Sequence, residues 1–479
     1  MKIIYDFDVM EGESIVEEGA YEEAAIFLGG WFEDIISQTG LWQVFTSECE
    51  KRYGTKLPFF ELDGNYYSDE VNLEDIQFII WHCLQSRSKD KFVYTPNNQP
   101  LRKLSKKIYD FLAIEYPVAP ENERLKDFYD FSDPTLNVFI EYRNKIEWFY
   151  MNSYINMGCY RDYCESMEEK IEEFTHNENN DDATIEILLY SHKVETILFG
   201  RTPLLGITAP EYMKLLQEHN HADHDAPYMN IDFATNNLYL VEKEEDDYYI
   251  FKKLTGDKRH YKVDKTSLNE NTEWLVVGDT VVTSTLFKYG KYWNHNGVMR
   301  NYSTSENPVL QNIIKEIDLE TSGQKEKKSY DNFLEITQGK RVMFFKNPDE
   351  LSNFVSTKLK YKNTLSTDLL KWKDSPVMAT VSPKNGLAFL AHISDCVAAP
   401  NNPYYNQEHA DENAIALLIG KHIIPYETSC YLLDSGYLKD ARLDLSIDNK
   451  ESEKEFVKQH AQFLMDYFHN KCREKDFVE

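Results

Sequence analysis

Nowhere in this 479-residue sequence do apolar residues run for the roughly 18–20 positions that a membrane span requires. The opening, MKIIYDFDVMEGESIVEEG, lacks the basic start and apolar stretch of a secretory leader. Positive charge is scarce: 52 Lys and Arg stand against 81 Asp and Glu, a net charge of −29. A field of that sign repels phosphate backbones and anionic headgroups, which argues against nucleic acid and membrane surfaces as partners. Paired cysteines are missing too. The seven Cys are scattered, odd in number and form no C-x-x-C, and most sit within apolar patterns. Reduced thiols and a cytoplasmic, reducing home are expected. No P-loop, dinucleotide fingerprint, G-x-S-x-G elbow or kinase signature occurs, which lowers the odds of the commonest enzyme classes. No internal repeat is present.

What is there suffices for sizeable cores: 42% of residues are hydrophobic and 14% aromatic, with 32 Tyr and 27 Phe. At roughly 150 residues per domain, two to three domains are expected. The pattern reads as α+β, with a helical N-terminal half (residues 1–225), a central antiparallel β-module (226–305) and a mixed α/β C-terminal section (330–479). In the first half, Leu73, Ile76, Ile80, Cys83 and Leu84 share one helical face, and Leu101, Leu104, Ile108, Phe111 and Leu112 repeat the spacing. Thr208 and Glu211 form a capping box ahead of Tyr212, Leu215 and Leu216. Near Ala226 the period changes. β-branched and aromatic runs follow, punctuated by turns such as Gly278–Asp279 and Asn296–Gly297, which suggests a compact antiparallel sheet or small barrel. Residues 321–329 (TSGQKEKKS) read as a flexible linker. In the last section, apolar runs at 377–381 and 387–391, joined through Asn385–Gly386, read as buried strands. A helix with Ala410, Ala414, Leu417 and Leu418 inward follows. The stretch 377–420 thus reads as the centre of a core and not as a site.

The sharpest chemical motif is His219-Asn-His221-Ala-Asp223-His224. It satisfies the H-x-H-x-D-H pattern in which imidazoles and a carboxylate divide between two metals and generate a hydroxide nucleophile. Zinc or another divalent metal would be its cofactor; apart from it the sequence favours none. The context differs from that class, because a capped helix leads into the motif where a buried strand is usual. The bland reading is a solvated helix end with histidines against the C-terminal dipole. Asp6 and Asp8 recreate the D-x-D of aspartyl phosphatases, but no later strand supplies the companion Lys and acids, so a surface turn is expected. Residues 252–265 (KKLTGDKRHYKVDK) interleave cations with Tyr261 near Tyr248, Tyr249 and Phe251, a pattern compatible with single-stranded nucleic acid. Against the negative background, a face that attracts the chain's own carboxylates is the alternative. His392 and His460 read as hydrogen-bonded core histidines, and residues 408–412 (EHADE) as an exposed helical face.

Three stretches, VNLEDIQFIIWHCLQS (71–86), STLFKYGKYWNHNG (284–297) and GLAFLAHISDCVAAPNNPYY (386–405), resemble in order and spacing an uncharacterised domain-of-unknown-function family of Bacteroidales proteins. The resemblance spans most of the chain and implies an intracellular bacterial protein of conserved length. It carries over no catalytic residue. The functional expectation is a non-enzymatic cytoplasmic binding protein that engages another protein through aromatic, acidic surfaces. The rivals are a metal-dependent hydrolase using His219, His221, Asp223 and His224, and nucleic-acid binding through the β-module.

Overall fold

The structure is a computed structural model. It describes residues 19–87, 95–177, 181–220, 225–268, 272–307, 309–321, 323–361, 373–420, 423–443 and 449–470. The α+β class expected from the sequence is what it shows. Among the described residues nine α-helices come first: α1 (Ala20–Ser37), α2 (Leu41–Tyr53), α3 (Leu73–Arg87), α4 (Gln99–Glu115), α5 (Glu123–Phe128), α6 (Phe139–Asn152), α7 (Cys159–His176), α8 (Asp182–Phe199) and α9 (Ala209–His219). α3 is the axis of this section. Every residue from Asp75 to Gln85 is buried, so it is enclosed all round rather than along one face. The Thr208–Glu211 capping box starts α9 as expected, with both reciprocal hydrogen bonds made.

Six described strands follow: β1 (Asp232–Glu244), β2 (Tyr248–Lys253), β3 (His260–Asp264), β4 (Thr280–Tyr289), β5 (Tyr292–His295) and β6 (Arg300–Ser303). The order β1-β2-β3-β5-β4 closes on itself because β4 also pairs with β1, and β6 lies on the other edge of β4. The module is therefore a small barrel. It departs from pure antiparallel pairing at one place, where β3 meets β5 in parallel at Val263 and Trp293. Tyr239, Val241, Phe251, Val263, Val282 and Leu286 fill its interior. The C-terminal end of β4 fastens the barrel to the helices. Phe287 stacks on Phe139, and the Tyr289 hydroxyl donates to the carbonyl of Leu136.

The linker expected at 321–329 is helical over most of its length. α10 (Leu310–Thr321) and α11 (Gln324–Thr337) are separated by two residues. Gly323, at φ 61°, turns the chain, and Lys325 to Lys328 form the first turns that carry Phe333 to full burial. Three antiparallel strands, β7 (Val342–Phe345), β8 (Val377–Ser382) and β9 (Gly386–Ala391), make a second sheet with β8 central and buried throughout. α12 (Pro348–Thr357) covers one face, held at its start by Asn347. α13 (Gln407–Asn413), α14 (Ala416–Ile419), α15 (Tyr426–Asp434) and α16 (Lys450–Phe468) are the last helices among the described residues. α16 returns to the first section: Phe463 packs against Tyr53, Phe59, Phe78 and Trp81. One apolar core consequently joins the N-terminal helices to the C-terminal ones.

Candidate functional site

The groove between the helical section and the barrel contains a pocket of about 200 Å³. Its helical wall is Leu188, Tyr190, Ser191 and Val194 of α8; its barrel wall is Thr283, Ser284 and Thr285 of β4, with Asn296, Val298, Arg300 and Tyr302 opposite. The sheet creates the opening. β5 pairs with residues 286–289 of β4, and β6 with 280–283. Between them the chain leaves the ladder at Asn296-Gly297-Val298, and the edge of β4 at Ser284 and Thr285 is held by two remaining bonds. Asn296 N donates to Thr285 O at 3.1 Å, and the Ser284 hydroxyl donates to Val298 O at 2.9 Å.

The turn is rigidly set. Gly297 has φ 88°, and a Cβ there would come within 2.6 Å of the Tyr190 hydroxyl, so only glycine fits both the conformation and the approach. Gly297 N donates to His295 Nδ1 at 3.2 Å, and burial lowers the His295 pKa, so the imidazole stays the neutral acceptor this bond needs. Arg143 of α6 reaches across, donating to Tyr190 Oη at 2.9 Å and to Asn296 Oδ1 at 3.1 Å. Because Arg143 takes the amide oxygen, the Asn296 amide nitrogen is left for the pocket. Asn296 is 3% exposed, and its Nδ2 is buried without a hydrogen-bond partner. The same holds for Nη2 of Arg300. No lining residue is acidic. The result is a cavity with unpaired donors, one of them on a guanidinium, and apolar side walls from Leu188, Val194 and Val298.

The residues singled out in the sequence fall elsewhere. His219 ends α9 exposed, its Nε2 3.2 Å from Gln43 Oε1. His221, Asp223 and His224 lie outside the described residues, as do Asp6 and Asp8. The basic stretch of the barrel is matched by carboxylates. Lys252 pairs with Glu242, Lys253 and Arg259 with Asp257, Lys258 with Asp318, and Lys265 with Glu244. Tyr249, Phe251 and Tyr261 point into the barrel core and are unavailable for stacking on bases. His460 is half-buried against Phe59 and Phe456, and His392 is exposed at the end of β9 with φ 72°. Residues 408–412 do more than face solvent, since His409 approaches Asp395 and buried Cys396, and Asp411 pairs with Lys454. Among the described residues, Asp395, Cys396 and His409 are the group that could hold a metal.

Nothing in the sequence marks the pocket. Its helical wall lies more than eighty residues before the barrel segments that face it, and Asn296–Gly297 reads only as a turn. The signal that could have raised suspicion is Arg300, a lone cation in a strand next to a tight turn.

Fold and pocket define an α+β protein in which a helical section and a small closed barrel enclose a donor-rich cavity. The chain belongs to the family described as Protein of unknown function (DUF3843), which matches residues 6–310 and 291–470. No curated protein and no solved structure matches it.

Proposed function

We propose that this is a binding protein for a small anionic molecule, a short carboxylate first, held between α8 and the barrel. The observation that carries the reading is the pair of buried, unpartnered donors, Arg300 Nη2 and Asn296 Nδ2, in a cavity without a carboxylate. Each such group forfeits about 1–3 kcal/mol when unsatisfied, and a charged acceptor would restore more than that. Size limits the ligand. At about 200 Å³ the cavity exceeds the roughly 30 Å³ share of one water several-fold and falls short of the ~300–1,000 Å³ typical of drug-sized ligands. A nucleotide is too large. The apolar walls favour a short carbon chain behind the anionic group over bare phosphate. Thermal-shift measurements with acetate, butyrate, succinate and inorganic phosphate test this. Butyrate or succinate should raise the unfolding temperature more than phosphate, and equal, non-saturating shifts from all four would defeat the reading.

A protein partner, the expectation drawn from composition, has one structural support: Phe111, Ile114 and Val118 are 51%, 73% and 74% exposed at the end of α4. The proposed location is the cytoplasm, consistent with free thiols at the six described cysteines. No helix among the described residues is long and apolar enough to cross a membrane.

A further inference from the structure

The turn after β9 and the short helix α13 bring three chemically distinct ligand atoms together. Asn406 caps α13 by accepting from the backbone N–H of Glu408 and His409, and its own N–H donates to Asp395 O at 2.9 Å, which ties the helix start to the Asp395 turn. His409 Nδ1 consequently lies 2.9 and 3.0 Å from the two carboxylate oxygens of Asp395. Cys396 Sγ is 3.5 Å from the same nitrogen and 3.8 Å from Asp395 Oδ1. Cys396 is 1% exposed, whereas the Asp395 and His409 side chains are 18% and 25% exposed, so the cluster has a closed sulfur side and a wet side.

One reading of Cys, His and Asp together is a nucleophilic relay, and the geometry excludes it. A relay needs the thiol and the carboxylate on opposite imidazole nitrogens, so that one is deprotonated while the other orients the ring. Here both face Nδ1. Burial, reinforced by the neighbouring Asp395, also pushes the Cys396 thiol up to about 12, the reverse of an activated cysteine.

We infer that Asp395, Cys396 and His409 form a binding site for a divalent transition metal of zinc type. Tetrahedral zinc, with bonds of ~2.3 Å to sulfur and ~2.0 Å to nitrogen, sets those ligand atoms about 3.5 Å apart, the separation found between Sγ and Nδ1. Thiolate, imidazole and carboxylate together select zinc or cobalt over magnesium or calcium, which take oxygen ligands. Binding expels the thiol proton to solvent and moves the imidazole proton to Nε2, leaving S⁻ and Nδ1 as donors. Three protein ligands and a wet fourth position leave room for water. His392, whose ring centre is 5.7 Å from that of His409, stands beside the cluster as a second imidazole. The site shares no residue with the anion pocket.

Cobalt(II) added to the full chain after dialysis against a chelator tests the assignment, because cobalt reports its ligands spectroscopically. Wild type should take up one equivalent and show the near-ultraviolet sulfur-to-cobalt charge-transfer band. Cys396→Ser should lose that band while retaining wild-type circular dichroism. His409→Ala should weaken binding by more than the ~10–100-fold that loss of an outer partner of a metal ligand costs. Should either variant fail to fold, the wild-type spectrum decides alone: bound cobalt without the sulfur band overturns the site. Cobalt binding lost in His221→Ala and kept in His409→Ala would also overturn it, by assigning the metal to the earlier motif.

Discussion

Two titratable groups, one fully and one partly buried, set opposing pH dependences on stability. Asp75 of α3 is fully buried, accepting from Tyr66 Oη at 2.7 Å and Asn72 Nδ2 at 3.0 Å, and burial raises its pKa from 3.8 to about 7. Between those values the folded chain holds a proton that the unfolded chain has released, so this group's contribution to stability is lost as pH rises through the window. His460, between Phe59 and Phe456, is pushed down from 6.5 to about 4 by burial. There the unfolded chain binds the extra proton, and stability is lost as pH falls. Urea unfolding at about pH 5 and about pH 7 separates the two. Relative to wild type, Asp75→Asn should gain stability at the higher pH compared with the lower, and His460→Gln the reverse. Identical pH dependence in all three proteins would show that neither group titrates differently on folding. Buried Asp34 has another task. Its carboxylate accepts from the backbone N–H of Leu41 at 3.2 Å and of Trp42 at 2.8 Å, at the start of α2, where Gly40 offers no side-chain cap. Thr39 and Tyr154 also donate to it. Asp34→Ala strands all four donors and should cost roughly 3 kcal/mol or more, measured by urea unfolding.

At the scale of elements, what the sequence reveals follows period and punctuation. α3, α4, α9, β8 and β9 are legible because their apolar spacing or caps are local properties. Residues 321–329 mislead because Lys, Glu and Gln suit solvated helix and linker alike. Only the tertiary burial of Phe333 decides between them. The barrel's closure is illegible for another reason: β1 and β4 pair over a separation of dozens of residues, and no local pattern encodes which edges meet. The pocket and the Asp395–Cys396–His409 cluster share that difficulty. His409 reads as an exposed helical residue until the preceding turn delivers Asp395 to it. The turn between β5 and β6 gives an element-scale prediction. Gly297→Ala forces φ 88° on a residue with a Cβ and drives it against Tyr190. It should abolish carboxylate binding and cost about 1–3 kcal/mol, read by calorimetry and denaturation together. For the return of the last helix, Phe463→Ala removes a ring that is 2% exposed and bridges α2, α3 and α16. It should cost about 3–5 kcal/mol in urea unfolding.

Across the whole molecule, the pocket lies where two separately cored parts meet, so a ligand there holds the helical section and barrel together. An acceptor bound to the folded chain and not to the unfolded one raises stability by about 2.7 kcal/mol at a hundred times its dissociation constant. The negative charge of the chain makes such a site conspicuous. With 81 acidic residues, a cavity holding a buried guanidinium atom and no lining carboxylate runs against the chain's overall charge. The most direct test is calorimetric titration of butyrate into the full chain and into Arg300→Met, with both folds checked by circular dichroism. A single saturable site in wild type, weakened ~10–100-fold in the variant, is what the loss of a charge-assisted hydrogen bond predicts. Saturable binding of equal strength in both proteins, or no binding heat in wild type, would contradict the account.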